Sequence, residues 1–300
     1  MSLFAQKILH TVFYGNLFYG LCVAASAAET FALLNRPMIH PEFYGILFCA
    51  TAIFYNYPYA RIGTSHNPRG EWMIRNRKFI GRMQIALLIV LLILLMSQVE
   101  QYREAVKNLE IWQCATAGFF ILLGTLYYGL NIATARYNLR SIGILKPLVI
   151  GTVWAGVTVI YPVLYDAAIH QTSADFSLTA KILFVKTTVF IALLAIMFDI
   201  KDYPDDSRNR LKTIVVRWGL RRTLFRVIIP SAVVLLVGLT LMALYRDLNP
   251  MRFALLAFPI LMLIPTGYSL TRRRTLLFYL VAIDGLILVK AVFGILASGF

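Results

Sequence analysis

The chain has 300 residues, of which 59% are hydrophobic and 14% are charged, and its mean hydropathy is +0.72. Soluble domains carry about 25% charged residues, so this composition excludes an ordinary soluble domain and indicates a polytopic membrane protein. The formal net charge of +15 does not indicate a nucleic-acid binder, because the Lys and Arg residues follow the connections between apolar runs rather than one soluble segment.

Nine apolar runs are each long enough to cross a hydrocarbon core that is about 30 Å thick. In chain order they lie near residues 11–34, 43–60, 79–97, 111–130, 144–165, 178–198, 224–245, 253–270 and 275–297. Backbone amides find no water in lipid, so each run is predicted to be a helix. We therefore predict an all-α bundle of about nine transmembrane helices, in which residues 1–300 form a single domain.

The distribution of basic residues predicts the orientation of this bundle. Segments on the N-terminal side of the membrane hold twenty Lys and Arg residues, whereas the connections on the opposite side hold five. The positive-inside rule then predicts a cytoplasmic N-terminus, as in a multi-pass protein of a bacterial-type inner membrane. Membrane lipids are the expected partners, since attraction to anionic headgroups accounts for much of the remaining basic charge.

A cluster of acidic residues follows the sixth predicted span. All eight Asp residues lie at or after Asp166, and the stretch "DIKDYPDD" (199–206) contains four of them. On a helix that continues from this span, Asp199, Asp202 and Asp206 are spaced i, i+3, i+7 and share one face. Such carboxylates suit Mg²⁺, which commonly bridges protein carboxylates to substrate phosphates. The alternative is a solvated charged loop with local ion pairs.

These residues resemble a known family. Asp199, Asp202 and Asp206, followed by Lys212 and Gly219, are similar to the second Asp-rich motif of the UbiA superfamily of intramembrane prenyltransferases. The stretches "GNLFYGLCVAASAAET" and "LRSIGILKPLVIGTVWAGVTVIYPVL" resemble the first helix and the fourth-loop and fifth-helix region of that family. The resemblance implies helices around a central cavity, where Mg²⁺ and the Asp residues bind a prenyl diphosphate. It also implies that the three Asp residues are both metal ligands and catalytic, and that an aromatic or lipid acceptor captures the allylic cation.

The first Asp-rich motif of the family, NxxxDxxxD, is degenerate in this chain. Asn56 stands at the position of the motif's Asn, but Ala60 and Thr64 occupy its Asp positions. Pro58 also interrupts the helical turn between Asn56 and Ala60. Because no Asp precedes Asp166, no shift of the alignment restores the motif.

Four functions are compatible with one intact motif. The chain is an active prenyltransferase with a prenyl diphosphate donor and a hydrophobic acceptor, an enzyme that acts on a different substrate, a non-catalytic protein that binds an isoprenoid lipid, or a lipid transporter. In the first case basic residues supply the missing charge at the diphosphate. The residues predicted to bind the diphosphate are Lys146, Arg140, Lys212, Arg61 and Asn56.

Two further predictions concern residues inside the spans. Tyr55, Tyr57 and Tyr59 cluster near one end of the second span, where they either stabilise an allylic cation or form an interfacial aromatic belt. Asp284 and Lys186 both lie near the middle of their spans, where ionisable groups are costly and usually paired. We therefore hypothesise a direct Asp284–Lys186 contact.

Overall fold

The computed structural model describes residues 3–37, 41–59, 64, 67–107, 110–128, 143–172, 174, 176–208 and 213–300. Within these ranges the regular structure is helical, without strands. The helices are α1 (Leu3–Tyr14), α2 (Leu17–Leu33), α3 (Pro41–Asn56), α4 (Pro68–Arg75), α5 (Arg77–Ser97), α6 (Val99–Lys107), α7 (Ile111–Tyr128), α8 (Lys146–Ile169), α9 (Leu178–Arg208), α10 (Ile214–Trp218), α11 (Leu220–Tyr245), α12 (Pro250–Ser269) and α13 (Leu276–Ala297).

The predicted all-α membrane architecture is confirmed, but the span count is not. Among the described residues, α5, α8, α9, α11, α12 and α13 are long and apolar enough to cross a membrane. The bent pair α1 and α2 makes a seventh if it forms one span. The predicted spans near 43–60 and 111–130 correspond to the shorter α3, with 16 residues, and α7, with 18 residues. The count of nine therefore stays a prediction.

A break at Asn16 separates α1 from α2. Asn16 has a φ of 64°, in the left-handed region that Asn tolerates better than most residues, and the two helix axes differ by 62°. The break turns the buried Asn16 amide toward the end of α3. There its Nδ2 donates to the Oδ1 of Asn56 at 2.8 Å, and the Nδ2 of Asn56 donates to the Gly15 carbonyl at 2.9 Å. This reciprocal pair fixes the end of α3 against the break.

Small residues let the central helices approach closely, as is common in membrane bundles. A Cβ on Gly20 in α2 would lie 2.7 Å from the Phe48 carbonyl oxygen in α3. A Cβ on Gly151 in α8 would lie 2.2 Å from the Thr188 carbonyl oxygen in α9. The backbones of these helix pairs are therefore in contact, and the pairs that carry the site are held in fixed register.

The bundle is organised around α2, which contacts α3, α8 and α13. α9 packs along α8, and α12 packs against both α11 and α13. A hydrogen bond of 2.6 Å from the Thr30 hydroxyl to the Thr158 carbonyl ties α2 to α8. α5 has no buried residue and packs on α3 at the periphery. The interior of the bundle is thus formed mainly by α2, α8, α9 and α13.

Candidate functional site

The predicted Asp cluster lies at the end of α9. This helix has 31 residues, whereas about 20 suffice to cross a bilayer, so it continues past the apolar segment. Asp199 and Asp206 are buried, with 2% and 9% of their surface exposed, and Asp202 is partly exposed. The helix thus brings the three predicted Asp residues to one end of the bundle, with two of them turned into the protein.

Asp199 is paired with Lys146, a residue predicted to bind diphosphate. α8 begins at Lys146, and its ammonium group forms an ion pair with Oδ1 of Asp199. Oδ2 of Asp199 is buried and has no hydrogen-bond partner among the described residues. The ion pair joins the starting end of α8 to the far end of α9. It leaves one carboxylate oxygen available to a cation.

Asp202 has a different neighbour. Its Oδ1 lies 2.6 Å from the Nζ of Lys201, which also lies 5.2 Å from the centre of the Phe198 ring. In the described part of the chain, no three His, Cys, Asp or Glu side chains are arranged to hold a metal ion. Mg²⁺ usually keeps several waters and takes one or two carboxylates together with substrate phosphates. The described residues therefore do not form a metal site made of protein ligands alone, whereas a Mg²⁺ ion that binds jointly with a diphosphate would need only one or two of these carboxylates.

The remaining predicted diphosphate residues are distributed unevenly. Arg61, Arg140 and Lys212 lie outside the described residues. Asn56 is 1% exposed, and both polar atoms of its amide are bonded to Asn16 and Gly15 as described above. Asn56 thus holds the end of α3 against the α1–α2 break in this structure, and its predicted contact with a diphosphate stays a prediction.

Arg69 is a functional candidate that the sequence did not single out. Its side chain is 8% exposed, and its Nε donates to the Tyr14 carbonyl at 3.3 Å. The guanidinium lies 5.1 Å from the ring centre of Tyr59 and 5.8 Å from that of Tyr19, while Nη2 is buried with no hydrogen-bond partner among the described residues. Burial lowers the pKa of Arg69, but Tyr59, Tyr19 and Asp284 outweigh this effect and raise the pKa, so the group stays charged.

Local sequence explains how Arg69 reaches this position. The Asn67 side chain caps α4 by accepting the Gly70 backbone N–H at 2.7 Å, and Pro68 occupies the first helical position. Arg69 therefore lies in the first turn of a short helix beside the α1–α2 break. The Asn-Pro pattern could have predicted the helix start. Nothing in the sequence distinguishes Arg69 from the other basic residues of its loop.

Aromatic and polar side chains connect Arg69 to the interior. The Tyr19 hydroxyl donates to Oδ2 of Asp284 at 2.6 Å, and the Tyr19 ring stacks on Tyr55 with centres 4.4 Å apart. Nε1 of Trp154 donates to the Tyr55 hydroxyl at 2.8 Å. This network links α2, α3, α8 and α13 with a continuous aromatic surface.

This network bears on two hypotheses from the sequence, the Asp284–Lys186 contact and the tyrosine cluster. The hypothesis of a direct Asp284–Lys186 contact is wrong: Asp284 bonds to Tyr19, and Lys186 lies near Glu29 instead. The three tyrosines near the end of α3 do not act as one group. Tyr55 is in the aromatic network, Tyr59 lies under Arg69, and Tyr57 is 66% exposed.

An apolar cavity of about 350 Å³ lies beside the end of α9. It is formed where α9, α11 and α12 meet, with Ile200, Leu224 and Leu270 among its lining residues. Arg221 lies at this cavity and is the only charged side chain among its described lining residues. Such a space suits a hydrocarbon chain whose polar end lies near the Asp residues.

The architecture is that of a multi-pass membrane protein with the UbiA fold. Over 98% of this chain and 99% of the other, it is similar to a solved structure of digeranylgeranylglyceryl phosphate synthase in membranes, with a TM-score of 0.54 and 13% sequence identity. That synthase is a prenyltransferase of the UbiA superfamily. No family model and no curated protein matches the sequence. The likeness confirms the predicted fold, and at this identity it shows the fold alone.

Proposed function

We propose that this protein is a membrane prenyltransferase, which transfers an isoprenyl group from a prenyl diphosphate to an aromatic or lipid acceptor with Mg²⁺. The observation that carries the proposal is the burial of Asp199 and Asp206 at one end of a UbiA-type bundle, with Asp199 paired to the ammonium of Lys146. Carboxylates turned into a protein interior beside a cation are arranged to hold charged groups, and not to solubilise a loop.

The diphosphate end would be held from two sides. Asp199, Asp202 and Asp206 supply the acidic side, where bound Mg²⁺ would neutralise the phosphate oxygens. Lys146 would exchange its contact with Asp199 for one with a diphosphate oxygen. Arg140, Lys212 and Arg61 remain proposed diphosphate ligands from the sequence.

Arg69 would replace part of the degenerate first motif. The motif's carboxylates bring a second cation to the diphosphate in the family that this chain resembles. Here a guanidinium supplies positive charge directly, with the buried Nη2 as a free donor and the Asn16–Asn56 pair fixing the end of α3. A fixed charge of this kind needs no metal ligand and no reorganisation during the reaction.

The chemical step breaks the bond between the allylic carbon and the diphosphate oxygen. The electron pair leaves with the diphosphate, where the cationic side chains stabilise it, and the allylic carbon becomes cationic. The stacked Tyr19 and Tyr55 rings would stabilise that cation and exclude water from it. The acceptor then forms the new bond to the allylic carbon and loses a proton.

The test is turnover by the purified full-length protein. With Mg²⁺, radiolabelled prenyl diphosphates of several chain lengths and a panel of aromatic and lipid acceptors, we expect release of pyrophosphate and a prenylated product. Asp199→Asn should lower the rate at least about 100-fold. Asp247→Asn is the matched control, because Asp247 is exposed at a φ of 48° that Asn also adopts. Absence of product with every donor and acceptor would contradict the proposed prenyltransferase activity.

The absence of Asp from the first motif favours a second candidate, a UbiA-like protein that binds an isoprenoid lipid without turnover. Such a protein would bind a radiolabelled prenyl diphosphate or prenyl alcohol and release it unchanged. Movement of the bound lipid across proteoliposome membranes would instead identify a lipid transporter.

A further inference from the structure

A second polar cluster lies deep in the bundle, away from the Asp residues at the end of α9. Glu29 of α2 and Lys290 of α13 are 1% and 4% exposed, and Nζ of Lys290 donates to Oε2 of Glu29 at 2.5 Å. Gly294 makes room for this pair, because a Cβ at that position would lie 2.5 Å from Oε1 of Glu29. Buried ion pairs at such positions in membrane proteins usually mark functional sites.

Lys186 of α9 faces the same interior. It lies 13 positions before Asp199, which corresponds to about 20 Å along the helix. Its neighbours on the same helical face, Leu183, Phe190 and Leu193, are 4%, 1% and 2% exposed. Lys186 itself is only partly buried. The face of α9 that carries Lys186 therefore points into the bundle.

The cluster has one carboxylate and two ammonium groups. Lys290 is paired with Glu29, and Lys186 lies within electrostatic range of both. In the described part of the chain, Lys186 has no ion pair and no hydrogen bond to a side chain. An ammonium without a counter-ion is costly in an apolar interior, so the cluster lacks one negative charge.

Polar atoms around the cluster also lack partners. Oε1 of Glu29, the Ser26 hydroxyl and the Thr187 hydroxyl are buried without a hydrogen-bond partner among the described residues. Ser26 precedes Glu29 by three positions on α2, so the two share a face. Thr187 follows Lys186 directly on α9 and so lies on a neighbouring face of that helix. Buried polar groups are normally satisfied, so the unpartnered Ser26 hydroxyl and Glu29 oxygen near an unpaired ammonium indicate the position of a ligand.

We propose that Lys186, with Glu29, Lys290 and the Ser26 hydroxyl, forms a binding site for the carboxylate of an amphipathic lipid with one negative charge, such as a long-chain fatty acid. A single carboxylate balances the one uncompensated ammonium, whereas a phosphomonoester or diphosphate brings more charge than the cluster can compensate. The depth of the site in the bundle requires an apolar tail. The inference does not depend on the proposed prenyl transfer.

Binding of radiolabelled oleate to the purified full-length protein in a neutral detergent tests this site. We expect saturable binding that unlabelled oleate displaces and that methyl oleate and oleyl alcohol do not displace, since neither carries the charge. Lys186→Met should weaken binding at least tenfold. Lys181→Met is the matched control, because Lys181 lies on the same helix, is exposed and should leave binding unchanged.

Glu29→Gln gives an effect that a purely structural role would not produce. It removes the competing carboxylate, leaves two ammonium groups, and should tighten oleate binding several-fold while Lys186→Met weakens it. Three results would each overturn the proposal. Methyl oleate could displace labelled oleate as well as oleate does, oleyl phosphate could bind more tightly than oleate, or Lys186→Met could bind oleate as tightly as the parent. If Lys186→Met does not fold, the comparison of acid with ester on the unaltered protein decides.

Discussion

Arg69 brings a fixed positive charge to the end of α3, where the first Asp-rich motif has no carboxylates. Its guanidinium is buried between Tyr19 and Tyr59, with one nitrogen free to donate. Arg69→Gln should therefore lower kcat/KM for prenyl transfer by about 100-fold, the usual loss when a preorganised donor to a developing anion is removed. Arg69→Lys should recover part of the loss, because it keeps the charge and loses the planar donor pair.

The control for this prediction lies on the same short helix. The Arg75 side chain is 78% exposed and, among the described residues, pairs only with Glu71, so Arg75→Gln should leave kcat/KM unchanged. Steady-state kinetics of the three variants against the parent measure the effect. Equal activity of Arg69→Gln and Arg75→Gln would remove Arg69 from the site.

The Asn16–Asn56 pair has a consequence for stability. Asn56→Ala removes the donor to the Gly15 carbonyl and the acceptor for Asn16, and it leaves both groups buried. We expect a loss of about 2–4 kcal/mol in the free energy of unfolding, from two hydrogen bonds and the desolvation of their former partners. Thermal unfolding in detergent measures the loss, with the exposed Gln6→Ala on α1 as control. A melting temperature equal to that of the control would show that the pair does not hold α3 in place.

At the scale of elements, the α8–α9 contact positions the ion pair of Lys146 with Asp199. Gly151 lets α8 approach the Thr188 carbonyl of α9 so closely that a Cβ would lie 2.2 Å from the oxygen. Gly151→Ala should therefore separate the helices and destabilise the protein by about 2–3 kcal/mol. Prenyl transfer should fall with stability, because both halves of the ion pair belong to these helices.

Gly238→Ala is the matched control, since Gly238 lies within α11 and a Cβ there would meet nothing within 4 Å. Its melting temperature should equal or exceed that of the parent, because Ala favours a helix over Gly. Thermal unfolding of both variants in one detergent makes the comparison. If Gly151→Ala has the same melting temperature as Gly238→Ala, the close approach of α8 and α9 does not stabilise the bundle.

Sequence periodicity predicted the helical elements well and their interior chemistry poorly. The apolar runs and the spacing of the Asp residues are local signals, and α9 buries Asp199 and Asp206 while Asp202 is partly exposed. The α1–α2 break was not predicted. It arises from the backbone conformation at Gly15 and Asn16, and hydropathy does not detect such a conformation within a continuous apolar run. The predicted first span therefore became two helices.

At the scale of the whole molecule, the pairing of charges could not be predicted, because it depends on which helices are neighbours. Asp284 and Lys186 have similar depths, but α13 turns Asp284 toward Tyr19 of α2. Glu29 and Lys290 are separated by 261 positions in the chain and meet only because α2 and α13 pack together. The depth of an ionisable residue in the membrane indicates whether it needs a partner. Which residue becomes its partner depends on how the helices pack.

The charge distribution predicts the orientation of the molecule, and this prediction can be tested across a single helix. Thr172 precedes α9 and Ser207 lies in its last turn, and both are exposed. The positive-inside rule predicts that the Asp end of α9 faces the cytoplasm. In a Cys114→Ser background, a membrane-impermeant maleimide should then label Thr172→Cys in intact cells, and Ser207→Cys only after permeabilisation. The buried Cys22 and Cys49 should not react in either case. Labelling of both positions from the same side would show that α9 does not span the membrane. The reverse pattern would place the Asp end of α9 on the outer surface, where a cytoplasmic prenyl diphosphate could not reach it.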